Sequence, residues 1–485
     1  MAFNSLDYGI FLVVVFLVYW LLARAGALRI LFLLVASWVF YAASNPYFIF
    51  LIFASTVTDY VAGWQMTRHD DSPARRKLWL IISLVVNLGL LGVFKYSNFF
   101  YESFVNVANA AGADLTFTRL DILLPAGISF YTFQTMSYSI DVYRRRCPAE
   151  LNFTRFAFFV GYFPQLVAGP IVRAVDFLPQ IGRRPYLTSQ QASRAMWLIA
   201  IGLFKKVAIA DYLGVNLVER AFDTPDVLSS MDVLLGLYGY TMQMYMDFSA
   251  YTDIAIGSAL LFGFQLPDNF DRPYKATSVQ DFWRRWHKTL GSWLRDYIYY
   301  PLGGGKGTPF KVYRNLFITF LLIGLWHGAD WTYVIYGGLH ASAMVINRML
   351  RKRRERLGVK LELDWWGVSW RVFLTLHFVM FARILFRAGI EAQKPGGDPF
   401  GKVDAVVTAL SQGTYDTVTV MTPLLWALLI GSYLWHWTPR RWTEATFTGF
   451  QRMPAYAQGL VVGAAILLVV LFASGRPIPF QYFRF

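Results

Sequence analysis

Val233 to Phe262 reads VLLGLYGYTMQMYMDFSAYTDIAIGSALLF, a nearly continuous apolar run. At about 1.5 Å of rise per residue, a helix of that length crosses a roughly 30 Å hydrocarbon core. The run nevertheless carries Gln243, Asp247, Ser249 and Asp253. Gln243 and Asp247 stand at i, i+4, as do Ser249 and Asp253, so each pair shares a helix face. A carboxylate at that depth costs several kcal/mol unless it is paired. Both aspartates are therefore expected to meet Arg, Lys, Tyr or peptide groups inside a bundle, as polar pins between helices or as groups acting directly in chemistry.

Working outward, comparable runs recur near 8–23, 27–43, 78–94, 193–210, 369–386, 420–437 and 456–474. The 485 residues are 56% hydrophobic, 18% aromatic and only 15% charged, far more apolar than a soluble domain of this length. The reading is an all-α polytopic membrane protein with about eleven to thirteen membrane segments, some re-entrant. No soluble domain or low-complexity linker interrupts it, so residues 1–485 read as one transmembrane domain. The first apolar run lacks a basic leader and a small-residue cleavage site, which predicts a first membrane helix and a mature chain beginning at Met1.

The net charge of +15 is dispersed in short clusters between apolar segments: Arg68 to Lys77, Arg144 to Arg146, Arg183 with Arg184, Arg284 to Arg295, Arg348 to Arg356, and Arg440 with Arg441. Dispersed clusters of this kind set membrane topology and give no reason to expect nucleic acid. Placing them in the cytoplasm puts Met1 outside and carries the tail 476–485 outside as well. The single cysteine, Cys147, excludes an intrachain disulfide and a multi-cysteine metal site, and no metal is expected.

The chemistry concentrates between about residues 120 and 345. Pro125, Gly127, Pro164, Gly169 and Pro170 break membrane-depth helices, which is tolerated only where protein or a water-filled cavity covers the backbone. Downstream lies Asp281 to Gly304, DFWRRWHKTLGSWLRDYIYYPLGG. Ser278 with Asp281 resembles a capping box, which predicts a helix from about Val279 to Tyr297 with Trp283, His287, Leu290 and Leu294 on one stripe. Its basic residues Arg284, Arg285, Lys288 and Arg295 could hold lipid phosphates or the phosphates of a nucleotide-bearing donor such as coenzyme A.

His327 closes the apolar run Leu316 to Leu325, flanked by Gly324 and Gly328, which are read as leaving room for a substrate against the ring. A neutral imidazole with an ordinary pKa of about 6.5 can act as a general base toward a hydroxyl; a satisfied structural histidine is the alternative. No histidine has an aspartate five residues on, and G-x-S-x-G, H-E-x-x-H and G-x4-G-K-[ST] are absent, which disfavours a serine hydrolase, a zincin and a P-loop pump.

Five ordered stretches resemble the membrane-bound O-acyltransferases, and within them the bacterial alginate O-acetylation subgroup. They are Phe163 to Ile171 (FPQLVAGPI), Asp247 to Gly257 (DFSAYTDIAIG), Leu266 to Tyr274, Trp283 to Gly304, and Gly324 to Ala329 (GLWHGA). The resemblance implies a ring of tilted helices around a central catalytic funnel, with His327 matching the family's near-invariant histidine and His287 its second, more variable polar position. It implies acetyl-coenzyme A as the cytoplasmic donor and an extracytoplasmic polysaccharide as the final acceptor, reached through an SGNH-type acetyltransferase partner at a bacterial inner membrane. The tail Phe480 to Phe485 (FQYFRF) fits the subgroup's F-x-Y-F-x-F ending, which implies Tyr482 as an acyl carrier. An interfacial aromatic anchor is the other reading of Tyr482. A transporter or flippase, motivated by the broken helices and intramembrane aspartates, is the competing function, and a scaffold for a secretion complex a third.

Overall fold

The computed structural model describes residues 1–358, 363–394, 396–472, 478 and 480. The regular structure of the described residues is helical, with no strand among them. Among the described residues, the greater part of each apolar run falls in a helix. Two continuous helices, Pro73–Ala110 and Trp365–Gln393, are long and apolar enough to cross a membrane by length and composition; Leu6–Leu21 and Gly26–Ala42 are apolar but shorter. The chain folds as two compact units, Met1–Ala195 with Ala255–Pro267, and Met196–Ile254 with Asp268–Phe485.

In the first unit, helix Leu6–Leu21 begins at Ser5, whose hydroxyl accepts from the Tyr8 N–H at 3.2 Å. Its inner face carries Tyr8 and Tyr19, which reach Ser258 at 2.7 Å and the Phe262 carbonyl at 2.8 Å. That is why the end of the long helix Ser230–Leu261 belongs to this unit. The opposite face leaves Leu6, Leu17 and Leu21 more than half exposed, an apolar stripe suited to lipid.

The predicted break around Pro164 to Pro170 is real. Helix Phe163–Leu166 lasts four residues, and helix Ile128–Tyr143 starts at Gly127 with φ 75°. A Cβ on Gly127 would lie 2.6 Å from the Leu166 carbonyl oxygen, so glycine is needed for both conformation and close approach. A further polar centre, which the sequence reading passed over, is the fully buried Asp59. Its oxygens accept from Ser83, from Ser139 at 2.5 Å and from the Asn87 amide at 2.7 Å.

In the second unit, helices Pro309–His327 and Trp331–Arg356 pack backbone to backbone. A Cβ on Gly324 would fall 2.1 Å from the Tyr333 carbonyl oxygen, and one on Gly337 2.5 Å from that of Phe320. The segment Lys205–Asp211 is π-helical, a local form that recurs at functional sites.

Candidate active site

Residues 279–297 do not form the single helix predicted. Helix Val279–Arg285 is capped as expected, with Ser278 Oγ accepting from the Asp281 N–H at 3.1 Å. The chain then turns: His287 is left-handed, with φ 44° and ψ 56°, and a new helix runs Lys288–Leu294. The cause lies upstream in Asn269, whose backbone carbonyl accepts from the Lys288 N–H at 2.9 Å. Its side-chain oxygen accepts from the Thr289 hydroxyl at 2.6 Å and from the Thr289 N–H at 3.4 Å. Asn269 thus serves as the missing cap. A left-handed non-glycine residue costs on the order of 1 to 2 kcal/mol and persists where its surroundings fix it. The break removes His287 from the predicted stripe and points it elsewhere.

Its ring is wholly buried, edge-on to Phe248 with centroids 4.8 Å apart and 5.7 Å from Trp326. Trp326 in turn lies 5.1 Å from the ring of His327, so the two histidines flank one indole. His327 is the last residue of helix Pro309–His327, 3% exposed, with Phe386 5.1 Å and Tyr336 6.4 Å away. The room expected from its flanking glycines is already filled: a Cβ on Gly328 would lie 2.0 Å from the Tyr333 ring, and Gly324 serves helix packing. These glycines let Tyr333 and the neighbouring helix close on the histidine, so the approach to the ring must come from another side.

A cavity of about 630 Å³ is lined by Leu316, Thr319, Phe320 and Ile323 of the same helix, with His327 itself outside the lining. The next residue of that i, i+3/i+4 stripe is His327. Arg284, Lys288 and Arg295 line the cavity, and so do Arg348 and Arg351, which the sequence reading assigned to topology alone. None of its lining residues is acidic. Arg285 does not take part; it turns to Asp281 at 2.9 Å and to the Asp271 carbonyl. Trp283 forms part of the wall, and its indole N–H donates to His340 Nδ1 at 3.1 Å. His340 is a further buried histidine, with no motif around it to single it out.

Asp247 and Asp253 find the cations expected of them in two consecutive residues. Lys206 Nζ donates to Asp247 at 2.8 Å and to Asp211 at 2.7 Å, and Lys205 Nζ to Asp253 at 2.6 Å. The π turn brings Lys206 and Asp211, five apart, to one face. Gln243 is buried against Gly214, where a Cβ would lie 2.3 Å from its amide nitrogen. Over Lys206, 4.4 Å from Nζ, sits the ring of Phe480, which also meets Tyr251 edge-on at 4.9 Å. The tail thus reaches the interior at Phe480, 1% exposed, while Tyr482 lies outside the described residues.

A family model described as the membrane-bound O-acyltransferase family matches residues 145–386, which enclose His287, His327 and the cationic cavity. The chain is 37% identical over 408 residues to the peptidoglycan O-acetyltransferase of Helicobacter pylori, covering 78% of this chain and 75% of that protein. The chain belongs to the membrane-bound O-acyltransferase family. It is also 44% identical over 323 residues to a probable alginate O-acetylase of Azotobacter vinelandii, covering 67% of this chain and 64% of that protein's length. A teichoic acid D-alanyltransferase of Bacillus subtilis is 29% identical over 276 residues, 54% of this chain and 68% of that protein. The relatives of this membrane-bound O-acyltransferase family member thus carry names that share acyl transfer and differ in acceptor.

Proposed function

We propose that the chain is an O-acetyltransferase of a bacterial inner membrane, both termini extracytoplasmic, that takes acetyl from cytoplasmic acetyl-coenzyme A and passes it toward hydroxyls of an extracytoplasmic polysaccharide such as alginate. The observation that carries the reading is a cavity lined by five cations and no carboxylate, two of them, Arg295 and Arg351, also paired with Asp296 and Glu355, and walled by the helix stripe whose next residue is His327. Arg284, Lys288, Arg295, Arg348 and Arg351 would hold donor phosphates, for which clustered guanidinium and ammonium groups are suited. Trp283, Tyr299 and Tyr300 in the wall offer aromatic faces to the donor's base.

The acceptor in the first step is the Tyr482 phenol. His327 takes the phenolic proton as the oxygen bonds to the thioester carbonyl carbon; the C–S bond breaks and the thiolate leaves with that proton. A serine of an SGNH-type partner then attacks the tyrosyl ester, which frees the phenol and loads the partner for transfer to the glycan. Support for the tail comes from Phe480, two residues before Tyr482. It packs on Tyr251, one helical turn from Phe248, whose ring meets His287. His287, held in its left-handed turn, lines the approach as a supporting polar group. The transporter reading loses one of its two motives, because Asp247 and Asp253 are ion-paired with lysines.

The test is acetyl transfer by purified protein, partner and polymer with labelled acetyl-coenzyme A. His327→Ala should lower the rate about a hundred- to ten-thousandfold with an unchanged melting temperature. Tyr482→Phe should release no labelled polymer, whereas undiminished labelling by that variant would remove the carrier role. A wild type that neither cleaves the thioester nor labels itself would overturn the function.

A further inference from the structure

The first unit holds a second cationic cavity, of about 350 Å³, that the acyl-transfer reading does not use. Arg29 forms its inner wall and is only 4% exposed. It lies in the first turn of helix Gly26–Ala42, where Ala25 supplies no side-chain cap. A cation beside a helix N-terminus is placed against the helix dipole and calls for an anion. The Arg29 guanidinium lies 5.5 Å over the Tyr19 ring, and its Nη2 donates to the Arg183 carbonyl at 3.1 Å. Its Nε is buried with no hydrogen-bond partner among the described residues. A buried donor left so costs about 1 to 3 kcal/mol, which a bound acceptor would recover.

The rim adds Arg183 and Arg184, both exposed, against a single lining carboxylate, Asp176. Three arginines and one aspartate leave two positive charges in excess. Gln191 also lines the cavity; its side-chain oxygen is taken by Thr188, which leaves its amide N–H2 to donate. Exposed Tyr186 at the mouth has the amphipathic character of residues that sit at headgroup level.

We propose that this cavity binds a phosphate group, with Arg29 Nε and the Arg183 and Arg184 guanidinium groups as its donors. The phosphate can come from the headgroup of an anionic phospholipid or from free phosphate. Basic pockets between membrane helices are built for the former.

The test uses the full chain, delipidated in a neutral detergent, with native mass spectrometry and thermal melting as readouts. Three additions are compared at matched ionic strength: phosphatidylglycerol in mixed micelles, phosphatidylcholine in mixed micelles, and inorganic phosphate. Wild type should retain phosphatidylglycerol and melt higher with it, while the Arg183→Ala/Arg184→Ala variant, altered only at exposed positions, should bind about thirtyfold more weakly. Arg29→Gln should lose the same binding; should it fail to fold, the exposed double variant still decides. Stabilisation by inorganic phosphate alone supports the site and assigns it to the free ion. The proposal is overturned if neither phosphate source distinguishes wild type from the double variant. It is equally overturned if Arg440→Ala/Arg441→Ala, removing the same charge elsewhere, weakens binding as much.

Discussion

Asp59 in the first unit and Asp247 in the second are both buried carboxylates, at 0% and 1% exposure, and their surroundings differ in kind. Asp59 is caged by neutral donors, two hydroxyls and one amide, on neighbouring helices. Asp247 is held by the ammonium of Lys206, which it shares with Asp211. A cage of neutral donors fixes helices to one another and needs nothing further. In the ionic centre one ammonium is shared by two carboxylates, and that cation also has the Phe480 ring over it. One centre is a clamp; the other couples buried charge to the docking of the tail.

The sharpest way to break this contrast is Lys206→Met, which fills similar volume but leaves two carboxylates without their cation. Removing one partner of a buried ion pair costs about 3 to 5 kcal/mol. The variant is expected to lose most of its monodisperse peak in detergent chromatography, and whatever folds should melt far below wild type. Lys206→Arg, which keeps the charge, should recover much of that loss. A Lys206→Met protein that melts with wild type would mean the triad carries no structural burden. Because Phe480 rests on the same ammonium, limited proteolysis of the tail should also quicken in any Lys206→Met that folds.

Much of the second unit's chemistry is legible from residue type, because a polar group inside an apolar run is costly wherever it stands. That cost singles out Asp247, Asp253 and His327, and their pairing or burial follows. Their partners are less legible. Lys206 and Asp211 stand five apart, which α-helical spacing separates and only a π turn unites. The turn at His287 depends on Asn269, eighteen positions earlier in the chain, so no local pattern reveals it. Arg348 and Arg351 look like any basic helix end until the fold brings them beside Lys288. Gly324 and Gly328 illustrate the reverse error: composition gives the missing Cβ but not whether a substrate or a helix occupies its place, and here a helix does. Asp59 carries the same signal as Asp247, an acid in an apolar helix.

Asp59→Asn tests the other half of the comparison and should have the smaller effect. The carboxylate accepts three hydrogen bonds, and the amide that replaces it brings an N–H2 to face some of those donors. Ser83 and Ser139 donate through hydroxyls, which can rotate to accept from that N–H2, while the remaining amide oxygen still receives the Asn87 N–H2. No charge is left unpaired, because the cage supplies no cation to lose its partner. The expected cost is therefore about 1 kcal/mol, the scale of one imperfect hydrogen bond. It should appear as a small fall in melting temperature with acetyl transfer retained. If Asp59→Asn were instead as damaging as Lys206→Met, the charge on Asp59 would itself be required, and the neutral cage would have to be redrawn as an electrostatic site.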